Sequence, residues 1–482
     1  MKRAMTSNWR LLWRGFYASL IAFAVLWAIP RSARAQLASG PVHVGTPPSK
    51  PYQPQAPDKQ LRQLLNLIDQ NQLQATIQKL VSFGTRHTAS SQTDPVRGIG
   101  AATAWVFQQL QTYAAAAGGH MTVQQQTFVQ PVGSNIPVPT TITNVIATLS
   151  GSVSPNRTYV ILAHIDDRVT DVLDFTSDSP GADADASGVA VVMELARVMA
   201  TLQPNATIVF SLVAGEEQGL YGSTFEAEQL AATGVDVEGM LNLDTVGSSI
   251  AQDGTKDAHQ IRLFTEGVPT AATANTIALM QVIGNENDSS SRELGRFAKS
   301  VAENDATGMT IWLINRRDRY HYPGDQIAFQ RQGFPAARFT EPNENFNHER
   351  VDVQIINDVQ FGDLESFLDL AFLERVARVN AATIWSLAQG PGTPKNVDLS
   401  LGVPSNSNST NLSWDQGSDP SLAGYEVVWR ETAASDWTHV IPVGDVTSVS
   451  FPFFPKDNFL IGVRAVAVNG YHSPVAYPTF VP

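Results

Sequence analysis

Three apolar runs in the middle of this sequence each stop at a residue type that binds metal ions. Residues 159–163 are followed by His164-Ile165-Asp166, residues 207–213 by Ala214-Gly215-Glu216-Glu217, and residues 240–243 directly by Asp244. One polar residue after an apolar run is ordinary. Three in succession, all imidazole or carboxylate, form the ligand set that zinc accepts in a chain without cysteine. The Glu216–Glu217 pair can divide its labour. Neighbouring residues leaving a strand point in different directions, so one carboxylate can bind metal while the other takes a proton from water. Asp166 can hold one nitrogen of His164 as a donor and leave the other free for metal. Each feature alone also has a plain structural use: a solvated acidic turn for the pair, a buried histidine satisfied by its neighbour for His164. Their shared position favours chemistry.

For these ends to meet, the runs must be adjacent strands. Residues 159–163 are a short, continuously apolar run, as a strand buried on both faces is, and 207–213, 240–243 and 310–314 read as further short, mainly apolar strands. Helical periodicity begins near Asp58 with Leu61, Leu64, Leu65 and Ile68, and returns over 100–116, 189–199 and 363–387. The alternation predicts an α/β fold with a mostly parallel central sheet flanked by helices, its ligands gathered beyond the carboxyl ends of the strands.

Gly390-Pro391-Gly392-Thr393-Pro394 ends that pattern. Beyond it, short alternating segments at 411–414, 424–429 and 459–468 lack a helical period, which predicts an all-β sandwich over 391–482. The order of Pro394, Trp414, residues 425–430 and residues 461–466 resembles a fibronectin type III module. Phe459 stands where such modules often carry a corner tyrosine, so this corner is expected to close by packing. Trp414, Tyr425, Trp429 and Trp437 are expected in the core rather than on a carbohydrate platform.

The N-terminus reads as an export signal over 1–35. Lys2, Arg3, Arg10 and Arg14 precede 15 apolar residues (15–29), and Ala33-Arg34-Ala35 offers a cleavage pattern. That run is shorter than the ~20 residues of a membrane span, so the mature chain is expected to be secreted or periplasmic. Residues 36–57 carry six prolines and read as an extended linker, leaving 58–389 for the domain with the chemistry. The net charge is −13 over 482 residues, and the first 35 residues hold six basic residues and no acid. The remainder is therefore more acidic still, a poor match for nucleic acid or anionic lipid. The absence of cysteine excludes disulfides, thiolate zinc sites, iron–sulfur clusters and a cysteine nucleophile.

Residues 60–389 resemble the zinc aminopeptidases of peptidase family M28. The stretches that carry the resemblance are Leu80-Val81-Ser82-Phe83-Gly84-Thr85-Arg86-His87-Thr88, Asn144-Val145-Ile146-Ala147, His164-Ile165-Asp166, Pro180-Gly181-Ala182-Asp183-Ala184-Asp185-Ala186-Ser187-Gly188, Gly215-Glu216-Glu217-Gln218-Gly219-Leu220-Tyr221-Gly222-Ser223 and Leu241-Asn242-Leu243-Asp244, then Gly324-Asp325-Gln326, Gly333-Phe334-Pro335-Ala336-Ala337 and Asn347-His348. The resemblance implies a site of two zinc ions acting on a peptide or protein substrate. His164 and Asp244 would hold one ion, Glu217 and His348 the other, and Glu216 would be the general base. It also implies an Asp bridging both ions at position 184, where this chain has Ala. Asp183 and Asp185 flank that position as possible replacement ligands. Gln326 departs as well, since relatives often carry His there.

Three readings follow: an exported aminopeptidase, an M28-fold peptide binder impaired by Ala184, and a carboxypeptidase or glutaminyl-cyclase-like enzyme. The cyclase reading is weakened by the presence of both His164 and Asp244.

Overall fold

The computed structural model describes residues 47–320, 322–400 and 408–479, so the expected signal segment lies outside the described residues. Eight strands form the central sheet: β1 (Met121–Gln130), β2 (Thr140–Leu149), β3 (Ser154–His164), β4 (Ala206–Val213), β5 (Asp236–Leu243), β6 (Gln260–Thr265), β7 (Thr310–Ile314) and β8 (Ala336–Thr340). Their order is β1-β2-β4-β3-β5-β8-β6-β7. Four junctions, all but one in the centre, are parallel. The junctions of β1 with β2, β2 with β4, and β6 with β8 are antiparallel, so the sheet is mixed.

Both faces are covered, which is why the central runs read as continuously apolar. Tyr159, Ile161 and Ala163 of β3 pack toward helices Ala186–Met199 and Leu370–Gln389. Val160 and Leu162 of the same strand pack on the other side with Ala227, Ala328 and Phe329, from helices Tyr221–Ala232 and Gln326–Arg331. The alternation is the pleat itself, since successive side chains leave opposite faces of a strand. All eight residues of β4 are buried. The long helix begins at Leu370, where Asp369 caps it through the Phe372 amide. The residues before it form a separate 3-10 turn, Glu365–Phe367.

The C-terminal region is a sandwich of two antiparallel sheets. One holds Asp398–Ser400, Thr410–Ser413 and Ser448–Phe451; the other holds Leu422–Glu431, His439–Gly444 and Phe459–Ala467. Lys50–Pro51, from the proline-rich segment, adds a two-residue edge strand beside His439–Gly444. Trp414, Tyr425 and Trp429 lie in the shared core, and Trp437 is buried beside it. Phe459 closes its corner by packing, with its ring stacked on Phe454 and edge-on to Trp429. Within the sandwich a phenol-to-backbone bond is made at Tyr425, whose hydroxyl accepts from the Gly417 amide at 2.7 Å.

Polar contacts fix the sandwich to the helix Ser290–Ala302 and the turn before it. Arg430 pairs with Asp288 at 2.6 Å, and the Trp437 indole N–H donates to Glu293 at 2.8 Å. Among the described residues no helix is long and apolar enough to cross a membrane.

Candidate metal centre

Strands β4, β3 and β5 lie side by side and run parallel, so their carboxyl ends form one rim. The register pairs His164 with Val213 and Leu162 with Asn242. Continued by two residues, it sets Asp244 level with His164. Beyond β4 the chain turns through Gly215 at φ 83°, a left-handed position open to glycine, and this turn swings Glu216 back over the rim. One ligand atom each from His164, Glu216 and Asp244 lies within 4.8 Å of the others. His164 Nε2 is 3.7 Å from Asp244 Oδ1 and 3.9 Å from Glu216 Oε2.

The imidazole is held as expected, though by a different atom of Asp166. Nδ1 donates to the Asp166 backbone carbonyl at 2.9 Å, while the carboxylate stands 3.7 Å away. That carboxylate instead accepts the amides of Glu216 at 3.2 Å and Glu217 at 3.0 Å, so Asp166 pins the turn that carries the glutamate pair. With Nδ1 committed, Nε2 is the ring atom left for a metal ion. It is buried and has no hydrogen-bond partner.

The electrostatics of this pocket favour positive charge at Nε2. Burial alone would lower the His164 pKa, but Glu216, Asp166, Asp185 and Asp244 outweigh it and push it well above 6.5. Burial raises Glu216 far above an ordinary carboxylate; His164 opposes this, while Asp244, Glu217 and Asp325 add to it. Burial would raise Asp166, but the nearby His164 imidazole and the hydrogen bonds from the two glutamate amides overcome it and hold the carboxyl below its usual range. The unpartnered, buried Nε2 and the carboxylates of Glu216 and Asp244 beside it form a donor set that fits one divalent ion.

The other predicted residues are placed elsewhere. Glu217 is claimed by arginines: Arg168 Nε lies 2.8 Å from one oxygen and Arg350 Nε 2.5 Å from the other. His348 stacks face to face on Phe367 with ring centroids 3.4 Å apart, and its Nδ1 accepts from the Asn345 amide group. Asp183 turns toward Gly247, Ser187 and Glu341. Asp185 caps the helix Ala186–Met199 and accepts the backbone amides of His164 and Thr245; its nearest approach to His164 Nε2 is 4.0 Å. Ala184 is buried and offers only its amide, which donates to Asp363. Gln326 spans Asn242 and Asp318 rather than facing the site.

Arg338, Arg350 and Arg168 were not singled out by sequence reasoning. Arg338 Nη2 lies 2.6 Å from Asp244 Oδ2, with neither side chain exposed. Together with Arg350 it overcomes the burial of Asp244 and holds that carboxyl well below its usual range. A signal for Arg338 existed in the sequence. A charge inside the strand Ala336–Thr340 must be paired if that strand is buried. Arg350 sits in a loop and carries no comparable signal.

The family model for peptidase family M28 matches residues 144–360 of this chain. A probable zinc metalloprotease of Pyrenophora teres f. teres is 48% identical over 94% of this chain and 94% of its own length. A probable zinc metalloprotease of Pyricularia oryzae is 49% identical over 90% of this chain and 88% of its own. Among solved structures, the LapA aminopeptidase of Legionella pneumophila is 18% identical with a TM-score of 0.49, covering 69% of this chain and 75% of that one.

Proposed function

The chain belongs to peptidase family M28, and from that premise we propose that it is an exported zinc-dependent peptidase that removes residues from the N-termini of peptides. The carrying observation is the unpartnered, buried Nε2 of His164 facing the carboxylates of Asp244 and Glu216. His164 and Asp244 hold the ion. Zinc bound there supplies Lewis acidity and brings the pKa of water down toward ~7. Glu216 takes the proton of the attacking water and delivers it to the leaving amine, a role its upward-shifted carboxyl suits. Asp166 positions both His164 and the Glu216 turn.

Attack at a chain end is supported by burial: His164 and Asp244 are fully buried and Glu216 nearly so. A peptide terminus reaches such a floor more easily than the middle of a chain. The Glu216 and Asp244 side chains at the site offer carboxylate oxygens to the substrate's α-ammonium group. A second reading, a peptide-binding protein without hydrolytic activity, is favoured by Ala184 and by the arginines that occupy Glu217.

The experiment is zinc analysis of the purified chain, together with hydrolysis of a panel of aminoacyl anilides by wild type and Glu216→Gln. Loss of a general base is expected to cost roughly 10²–10⁴ in kcat. Wild-type activity that survives Glu216→Gln undiminished would refute the assignment of the base. A zinc-free, inactive chain that binds peptide would establish the second reading.

A further inference from the structure

Glu217 and Asp244 leave adjacent regions of the rim, and one side chain spans them. Arg350 Nε lies 2.5 Å from Glu217 Oε1, and its Nη2 lies 3.0 Å from Asp244 Oδ1. Its third nitrogen, Nη1, lies 3.1 Å from Glu349 Oε2. The Arg350 side chain is 8% exposed, and those of Glu217 and Asp244 are 4% and 0%. The remaining oxygens of the two carboxylates are taken by Arg168 and Arg338. The planar guanidinium fork suits this task, because it meets several carboxylates in fixed directions and stays charged at any working pH.

The backbone is bent to place it. Arg350 has φ 52°, in the left-handed region that non-glycine residues seldom enter.

A second metal ion does not fit this arrangement. Its implied ligands would be Glu217, His348 and an Asp at position 184. His348 is stacked on Phe367, position 184 is Ala, and both Glu217 oxygens are held by guanidinium groups; Asp244 is paired with two guanidinium groups as well, but it lies with Glu216 beside the unpartnered Nε2 of His164, a cluster that does not include Glu217. We infer that Arg350 is a resident cation that takes the place of the second metal ion, clamping Glu217 to Asp244 and leaving the centre with one exchangeable divalent ion at His164. This rests on the reading of His164 and Asp244 as a metal centre, which the same experiment scores separately. One consequence follows directly. A chelator removes the charge at His164 but not the charge between Glu217 and Asp244.

The test is metal counting on the full chain. Wild type and Arg350→Ala are equilibrated with excess zinc, desalted and analysed for bound metal, and zinc-soaked wild-type crystals are examined by anomalous scattering. The expected result is one ion per wild-type chain, a second in Arg350→Ala, and anomalous density at His164 but none between Glu217 and Asp244. Two ions per wild-type chain, or density between those carboxylates, would overturn the inference even if the variant does not fold. An unchanged count in a folded Arg350→Ala would also overturn it. A wild-type chain without zinc would sink the metal reading of His164, and the role of Arg350 would then stand or fall on whether the variant gains an ion.

Discussion

Glu226 is a buried acid next to the site whose effect on stability can be worked through. It lies on the helix Tyr221–Ala232, which follows the glutamate turn, and it is 1% exposed. Its carboxyl accepts a short bond from the Ser211 hydroxyl on β4, tying that strand to the helix. Burial pushes its pKa from 4.5 up to about 7; the Ser211 bond opposes the rise, and Asp325 adds to it. A folded-state pKa above the unfolded one means that the folded chain holds the proton more tightly. The stability contributed by the neutral acid is thus fully present below about 4.5 and lost as pH rises through about 7. At 1.36 kcal/mol per pKa unit, the loss is roughly 3 kcal/mol.

Glu226→Gln keeps the shape and an acceptor for Ser211 but does not titrate. Its amide hydrogens bring a desolvation cost of about 1–3 kcal/mol, which is the same at every pH. The difference in stability between variant and wild type should therefore move in the variant's favour by roughly 3 kcal/mol from pH 4 to pH 8, whatever its starting offset. Urea unfolding followed by tryptophan fluorescence at four or five pH values measures that difference, and titrations elsewhere cancel in the subtraction. A difference that stays flat across this range would refute the claim that Glu226 is folded as a neutral acid.

Arg338→Ala removes one guanidinium partner from each of the buried carboxylates of Asp244 and Asp318. It should cost about 3–5 kcal/mol, and Arg338→Lys should recover only part, since an ammonium cannot reach both; calorimetry of the two variants checks this. Phe210→Ala empties a fully buried position on β4 and should cost about 3–5 kcal/mol in denaturant unfolding. Ala184→Asp adds a carboxylate beside Asp183, Asp185 and Asp363. It should lower the unfolding temperature in chelator and enlarge the rise caused by added zinc, each tenfold gain in affinity being worth about 1.4 kcal/mol. An identical zinc response in variant and wild type would show that position 184 does not face the ion. Arg430→Ala breaks the buried pair with Asp288. It should loosen the sandwich from the α/β region, seen as earlier hydrogen exchange along Leu422–Glu431 while β3 and β4 stay protected.

The sequence by itself determined the central strands and the residues that end them. The inner parts of β3, β4 and β5 are mainly apolar because helices cover both faces, and the polarity change at each carboxyl end is abrupt enough to read residue by residue. The β-rich C-terminal region was legible for a similar reason, since helical periodicity stops at Gly390. The outer strands β1 and β2 were not, because β1 is largely exposed and its glutamines and threonines carry little apolar signal. What tertiary structure alone decided is the fate of each ligand-type side chain. His164, Glu216 and Asp244 converge because strand register sets their height on the rim. Glu217 sits in the adjoining position in sequence, yet its partners are Arg168 and Arg350, 49 and 133 residues away. His348 lies on a loop, where no strand or helix period fixes its direction, and the contact that holds it is a ring stack with Phe367. Spacing along a chain encodes regular elements; pairing between buried charges depends on long-range neighbours, and those exist only once the chain has folded.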